Sequence, residues 1–241
     1  MTHQERFYRN FSNTERWQNY RVKVETTDLY IKTKENLSLP AKKIVEDLRA
    51  ETKKHIKKQK SFLTSLEPVK RLEKSFPLIN RMYSASEAAN VGPMAAVAGA
   101  IAQAVGEKLL ENTSEAIIEN GGDIFLHLIE PAVITIFAGA SPFSGKIALK
   151  IDPPQTPLGV CTSSGSVGDS LSFGKADAVT IISRDTATAD AVATGTANLI
   201  KSDKNFHAAM EYAMDIRNVS GVIIIYQDKI AAKGDIEFCT P

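Results

Sequence analysis

A chain of 241 residues, 43% hydrophobic and 24% charged, has the composition of an ordinary globular protein and enough length to bury a substantial core. Its formal net charge of +1 excludes a global electrostatic pull toward nucleic acid or anionic lipid. Two cysteines, Cys161 and Cys239, exclude a disulfide framework and make a reducing cytoplasm the expected compartment.

The opening residues MTHQERFYRN contain no apolar run of the secretory type. Residues 1–19 read as an irregular lead-in anchored by Phe7, Tyr8 and Trp17. Alternating apolar residues from Tyr20 to Lys32, around Thr26-Thr27-Asp28, predict a β-hairpin. Pro40 then opens a helix with Ile44, Leu48 and Ile56 on the buried face. Its end, Lys53–Lys60 (KKHIKKQK), reads either as a solvated face whose cations suit a helix C-terminus or as a contact for an acidic partner. Pro68 and Pro77 punctuate a connector. Ser84–Asn112 reads as helical with a break at Gly92-Pro93. The run 91–105 is interrupted by Gln103 and is short for a bilayer, so it reads as a buried helix. Strands are expected at Ala116–Glu119, Ile124–Ile129, Val133–Ala138, Lys146–Ile151 and Asp177–Ser183. Helices follow at Thr186–Ile200 and Asn205–Arg217, and a hairpin at Gly221–Tyr226 and Lys229–Lys233. Helices and strands mix without strict alternation, which predicts an α+β fold with mixed or antiparallel sheets packed against helices. We expect a single domain over 1–241, with a hairpin and helix in 1–83 and the motif-bearing core in 84–241.

Two stretches rich in Gly, Ala, Ser and Thr, Gly92–Gly106 and Gly159–Leu199, allow backbone to approach a ligand or another element closely. Within the second, Asp190 and Thr194 lie at i, i+4 on one helix face, and Asn198 extends the stripe. A carboxylate and a hydroxyl there suit a hard cation such as Mg²⁺; a surface Asp on an alanine-rich packing helix has the same letters. Cys161-Thr162-Ser163-Ser164-Gly165-Ser166 can fold as a nest of N–H groups around an anion, with Cys161 a reactive thiol if those donors lower its pKa. The alternative is a buried cysteine followed by a serine-rich loop. Asn120-Gly121-Gly122-Asp123 reads either as a ligand-approaching turn, with Asp123 holding a hydroxyl or cation, or as a plain hairpin turn. Gly139–Lys146 and Gly168–Lys175 lack the spacing and the Ser or Thr of a P-loop. The four histidines are scattered, and no zinc pattern or Ser/His/Asp triad is legible.

Val91–Ala100 (VGPMAAVAGA), Asn120–Asp123, Gly159–Gly174 and Ala189-Asp190-Ala191 together resemble uncharacterised protein family 0280 of the ApbE superfamily. The resemblance covers about Ser84 to Ile200, and Glu25–Leu29 fits it. It implies an ApbE-like fold. ApbE-type transferases cleave FAD and attach FMN to a Ser or Thr of a partner protein using Mg²⁺. The counterparts of their motifs here are Gly92–Gly99, Asn120–Asp123, Ser163–Gly165 and Ala189–Thr194. The resemblance thus implies Asp190 and Thr194 as metal-binding side chains and a backbone carbonyl from Gly92–Ala96 as a third contributor. Ser166–Lys175 stands where the transferases carry His-x-x-Asp-Pro-x-Thr-Gly, and Val97 or Ala98 stands near the position of their first-motif Lys. These departures weigh against a complete FAD pocket. Relatives from anaerobic archaea have been linked with sulfide assimilation toward cysteine and homocysteine, which implies a persulfide on Cys161 as a rival chemistry.

The expectation is one ligand site where Gly92–Ala96 (through Gly92, Ala95 and Ala96), Asn120–Asp123 with Cys161–Gly165, and Asp190–Thr194 meet. Its guest is a phosphorylated or otherwise anionic small molecule, flavin nucleotide first, held with or without Mg²⁺. A sulfur carrier using Cys161 and a non-catalytic interaction protein are the rival readings. Neither nucleic acid nor membrane is an expected partner.

Overall fold

The computed structural model describes residues 16–164 and 174–241. Phe7, Tyr8 and Gly165 lie outside the described residues, as does most of Ser166–Lys175. The first hairpin forms as its alternation predicts: β1 (Gln18–Val24) pairs antiparallel with β2 (Thr27–Thr33), and the chain reverses at Glu25, with φ 54°. Helix α1 (Ser38–Lys58) begins two residues before Pro40, since proline is tolerated anywhere in the first turn. Its fully inward positions are Ala41, Val45, Thr52 and His55; the expected Ile44, Leu48 and Ile56 flank that stripe and are half-buried. A short helix, α2 (Ser61–Thr64), inserts Phe62 into the core.

Pro77 does more than punctuate. It starts α3 (Pro77–Ala89), where a missing N–H costs nothing, and Asn90 in the left-handed conformation ends it. A 3-10 turn, Pro93–Ala96, leads into α4 (Val97–Leu109). Then come β3 (Ala116–Asn120), β4 (Asp123–His127), β5 (Ala132–Ile136), β6 (Ile147–Ile151) and β7 (Leu158–Ser163). They are followed by β8 (Ala178–Ser183), α5 (Thr186–Leu199), α6 (Phe206–Met214), β9 (Val219–Tyr226), β10 (Lys229–Gly234) and β11 (Phe238–Cys239).

Eight strands form one sheet in the order β1-β2-β3-β4-β7-β8-β9-β10, and three form a second in the order β11-β6-β5; every neighbouring pair is antiparallel. Period-two alternation divides the large sheet into two cores. Leu29, Ile31, Ile118, Phe125, Cys161, Val179, Ile181, Val222 and Ile224 pack under the helices. Ile117, Leu126, Val160, Ala178, Ile182, Ile223 and Ile225 pack on Ile136, Leu149 and Ile151 of the small sheet. Central strands are therefore covered on both faces, which is why Val222–Ile225 is uninterrupted apolar sequence. The architecture is α+β, as expected. Strand β7, α2 and β11 are elements that the sequence expectations do not contain.

Candidate functional site

The site is built where α4 and α5 run antiparallel over β4 and β7. Each helix caps the other. The Asp190 Oδ2 atom on α5 accepts the Gly99 N–H at 2.8 Å, and the Ala98 N–H also bonds to this carboxyl, so a side chain from a distant segment satisfies the orphan donors of α4. In return, Gln103 of α4 accepts the Thr186 N–H at 2.8 Å, at the start of α5. Asp185 completes that start by accepting from the Thr188 N–H at 2.8 Å.

The approach needed for this exchange leaves no room for a Cβ. One built on Gly99 would lie 2.4 Å from the Thr186 carbonyl oxygen, and one on Gly159 of β7 would lie 2.5 Å from the Thr186 Cα. The small residues thus bring backbone to backbone. Gly92 behaves the same way: its Cβ would sit 1.8 Å from the Ser65 carbonyl oxygen. Gly92 and the fully buried Ala96 are therefore packed closely against the chain itself, and of that segment's candidates Ala95 alone is half-exposed.

The β3–β4 turn is a two-residue hairpin loop with Gly121 at φ 73° and Gly122 at φ 112°, a conformation that glycine adopts without strain. Asn120 donates from Nδ2 to the Ala98 carbonyl at 3.1 Å, tying the turn to the start of α4. Gly121 and Gly122 do not offer their amides to a guest. Glu119 Oε1 already accepts both, at 2.7 and 3.3 Å, so the chain's own carboxylate stands where an anion was expected.

Strand pairing sets the remaining candidates. Asp123 is opposite Cys161 across β4 and β7. Cys161 lies under the helices, and alternation places Ser163 on the same face; Thr162 points the other way and shares a 2.8 Å hydrogen bond with Thr180. The expected nest over Cys161–Ser163 is thus corrected: these residues are a strand, and their N–H groups belong to a sheet. Ser164 is buried at the strand's end, and the Ser163 hydroxyl is buried without a hydrogen-bond partner among the described residues.

Cys161 is fully buried, with Sγ 3.4 Å from the Thr186 carbonyl. Burial pushes its thiol well above the usual value, and the charges of Asp123 and Asp190 push it further. A reactive thiol, if donors lowered its pKa, and a buried cysteine were the two readings of Cys161; its full burial fits the second, and this environment favours the neutral thiol. Asp190 keeps partial exposure, yet the surrounding protein raises its pKa to about 7 against the opposing pull of the Gly99 and Ala98 amides. Thr194 lies one turn along α5, 8% exposed, and its hydroxyl makes no hydrogen bond to a described residue.

The structure therefore joins Asn120, Asp123, Cys161, Asp190 and the start of α4 at one corner, and separates Thr162 and Gly92 from it. Sequence reasoning missed Gln103 as a cap and Glu119 as the occupant of the turn. Gln103 had a signal, as the one polar side chain in an otherwise apolar run. Among the described residues no group of three or more His, Cys, Asp or Glu side chains has metal-holding geometry. The oxygen donors Asp190 and Thr194 nonetheless fit a cation that takes one carboxylate and completes its shell with water and phosphate, as Mg²⁺ does. Two surface hollows, of about 460 Å³ beside Ser141, Asp177 and Asp228 and about 370 Å³ beside Arg81, Asp185 and Asn218, contain none of the expected site residues. No single helix among the described residues is long and apolar enough to cross a membrane.

A family profile described as AbpE bacteria matches residues 9–224. A UPF0280 protein of Methanococcus vannielii is 38% identical over 222 residues, covering 90% of each chain. A UPF0280 protein of Methanocaldococcus jannaschii is 37% identical over 226 residues, covering 91% of this chain and 92% of the relative. Among solved structures, the apo Pseudomonas stutzeri flavinyl transferase ApbE superposes with a TM-score of 0.57 at 11% identity, over 90% of this chain and 94% of the other. The flavin transferase ApbE from Vibrio cholerae gives 0.55 at 13% identity, over 91% and 97%. At those identities the likeness is one of fold, whereas the closer relatives and the profile decide membership. The chain belongs to the UPF0280 family and carries the ApbE-like fold.

Proposed function

We propose that this protein binds a phosphorylated small molecule at the α4–α5 corner through a divalent cation, with flavin nucleotide as the first candidate. The observation that carries this reading is the Asp190 carboxyl at the start of α4, with Asp123 and Cys161 beside it and the Thr194 hydroxyl one turn away. A bare phosphate fits such a corner poorly. Each phosphate–carboxylate charge pair at ~5 Å costs about 3 kcal/mol at an effective dielectric of about 20. The amides that would compensate are engaged by Asp190 and Glu119. A cation held by Asp190 and Thr194 reverses that sign, and Mg²⁺ when bound supplies the positive charge that draws phosphate oxygens.

The chain's own residues have distinct tasks in this reading. Asp190 carries its negative charge above a pH of about 7, where cation binding strengthens. Asn120 fixes the turn against α4, and the buried Cys161 fills the floor beneath Asp190. The ApbE-like fold supports a flavin as the nucleotide. The sulfur-carrier reading gains no support from a thiol that is fully buried.

Equilibrium dialysis of the purified protein with FAD and with FMN, with and without Mg²⁺, tests the proposal. Binding that needs Mg²⁺ and is lost in Asp190→Asn is expected, and release of FMN and AMP from FAD extends it to catalysis. Equal binding with and without the metal, or no binding of either flavin, rejects it.

A further inference from the structure

The lysine-rich end of α1 is not used by the site just described, and its surroundings are unusual. Lys57, Lys58, Lys60 and Lys70 are exposed and make no ion pair with a described residue. Glu67 is the single carboxylate between 57 and 70. Gln59 donates from Nε2 to the Lys70 carbonyl at 2.8 Å, which folds the connector back on the end of α1 and brings the Lys70 backbone beside it. Attraction to the α1 C-terminus accounts for Lys57 and Lys58. It does not account for Lys60 and Lys70, which lie beyond the helix.

Two leucines sit among these cations. Leu63 is 49% exposed and Leu66 58% exposed. Neither is on a mobile tail. Phe62, fully buried edge-on against His55 (4.7 Å) and Tyr83 (5.1 Å), pins α2, and the Ser65 carbonyl packs on Gly92. Exposed apolar side chains on a rigid frame, in a segment whose charges are lysines apart from Glu67, have the anatomy of a protein-binding patch with an apolar centre and a polar rim.

We propose that this surface, formed by the end of α1, by α2 and by the connector to Lys70, docks an acidic segment of a partner protein that presents leucine-like side chains. Charge complementarity selects an acidic partner. The small apolar area selects a protein over a lipid surface, because interfacial binding scales with the apolar area buried and this patch offers two leucines. The contact of Ser65 with Gly92 places the docked partner beside the turn that leads into α4.

Fluorescence anisotropy on the full chain tests this, with a fluorescein-labelled synthetic peptide of alternating glutamate and leucine as the probe. The triple reversal Lys57→Glu, Lys58→Glu, Lys60→Glu is expected to weaken binding by about tenfold or more, and the pair Leu63→Ser, Leu66→Ser by about fivefold. Reversal of Lys42 and Lys204, exposed elsewhere, is expected to change it by less than about twofold. Thermal melts by circular dichroism confirm that each variant remains folded. Equal affinity of wild type and both patch variants overturns the proposal. So does equal binding of a lysine-leucine peptide, or binding to phosphatidylserine vesicles in place of the acidic peptide.

Discussion

Two corners of the helical layer are held together by opposite means. At α4–α5, glycine and alanine bring backbones into contact, and the polar ends of each helix are satisfied by a side chain of the other. At α1–α2–α3, three rings do the work: His55, Phe62 and Tyr83 pack edge to face, and His55 Nε2 lies 2.8 Å from the Tyr83 hydroxyl. The ring corner gains stability from buried area, and its Tyr83 hydroxyl is engaged by His55 and Gln59. The small-residue corner buries less apolar area per residue, and it leaves a partly exposed carboxyl, Asp190, with the Thr194 hydroxyl one turn along, which makes no hydrogen bond to a described residue. The difference separates a structural anchor from a candidate site within one layer.

The contrast can be broken most severely at Phe62. Phe62→Ala should cost about 3–5 kcal/mol in urea unfolding through the cavity it leaves, while leaving Mg²⁺-dependent flavin binding intact in the folded fraction. Gly159→Ala should cost about 1–3 kcal/mol, because its new Cβ meets Thr186 backbone that cannot retreat. Unlike Phe62→Ala, it should also weaken binding, since Thr186 begins the helix that carries Asp190. Loss of stability without loss of binding there would dissolve the distinction between the two corners.

Asp190 sharpens the comparison through pH. Its folded pKa is raised to about 7 from 3.8, so the native state holds this proton more tightly than the unfolded chain. Its contribution is fully present below about pH 4 and is lost as pH rises through about 7, a fall on the order of 2 kcal/mol once solvent relaxation around a half-buried carboxyl is allowed for. Asp190→Asn should remove that dependence from a urea titration series; an unchanged pH profile would show the carboxyl to be unperturbed. His55 gives the smallest effect and the opposite sign. Burial lowers its pKa below 6.5, so the native state favours the neutral ring. Its stabilisation is complete above 6.5 and is lost as pH falls below it, by less than the change at Asp190. His55→Gln should flatten that acid-side slope, read by the same unfolding series.

The local grammar of the chain was readable wherever a short window contained the whole cause. Alternation revealed both terminal hairpins, Asn-Gly-Gly-Asp marked a tight turn, and spacing put Asp190 and Thr194 on one helix face. Strand β7 escaped because Cys161-Thr162-Ser163 offers small polar letters that suit a loop as well as a strand. Only its neighbours β4 and β8 decide between them. The buried stripe of α1 was misplaced by a fraction of a turn because half-buried Ile44 and Leu48 outrank Ala41 in hydrophobicity but not in burial.

What the sequence by itself determined is the inventory: which segments turn, which extend or coil, and which side chains are able to bind. Tertiary structure decided what those side chains are free to do. Asp190 became the cap of a helix 91 residues earlier, Gln103 the cap of one 83 residues later, and Glu119 took the glycine amides that a guest would have used. Hydrogen bonds and desolvation act at a few ångströms in space, and separation along the chain carries no information about that distance. The raised pKa of Asp190 and the burial that favours the neutral Cys161 thiol therefore arise only once α4, α5 and β7 have closed on one another.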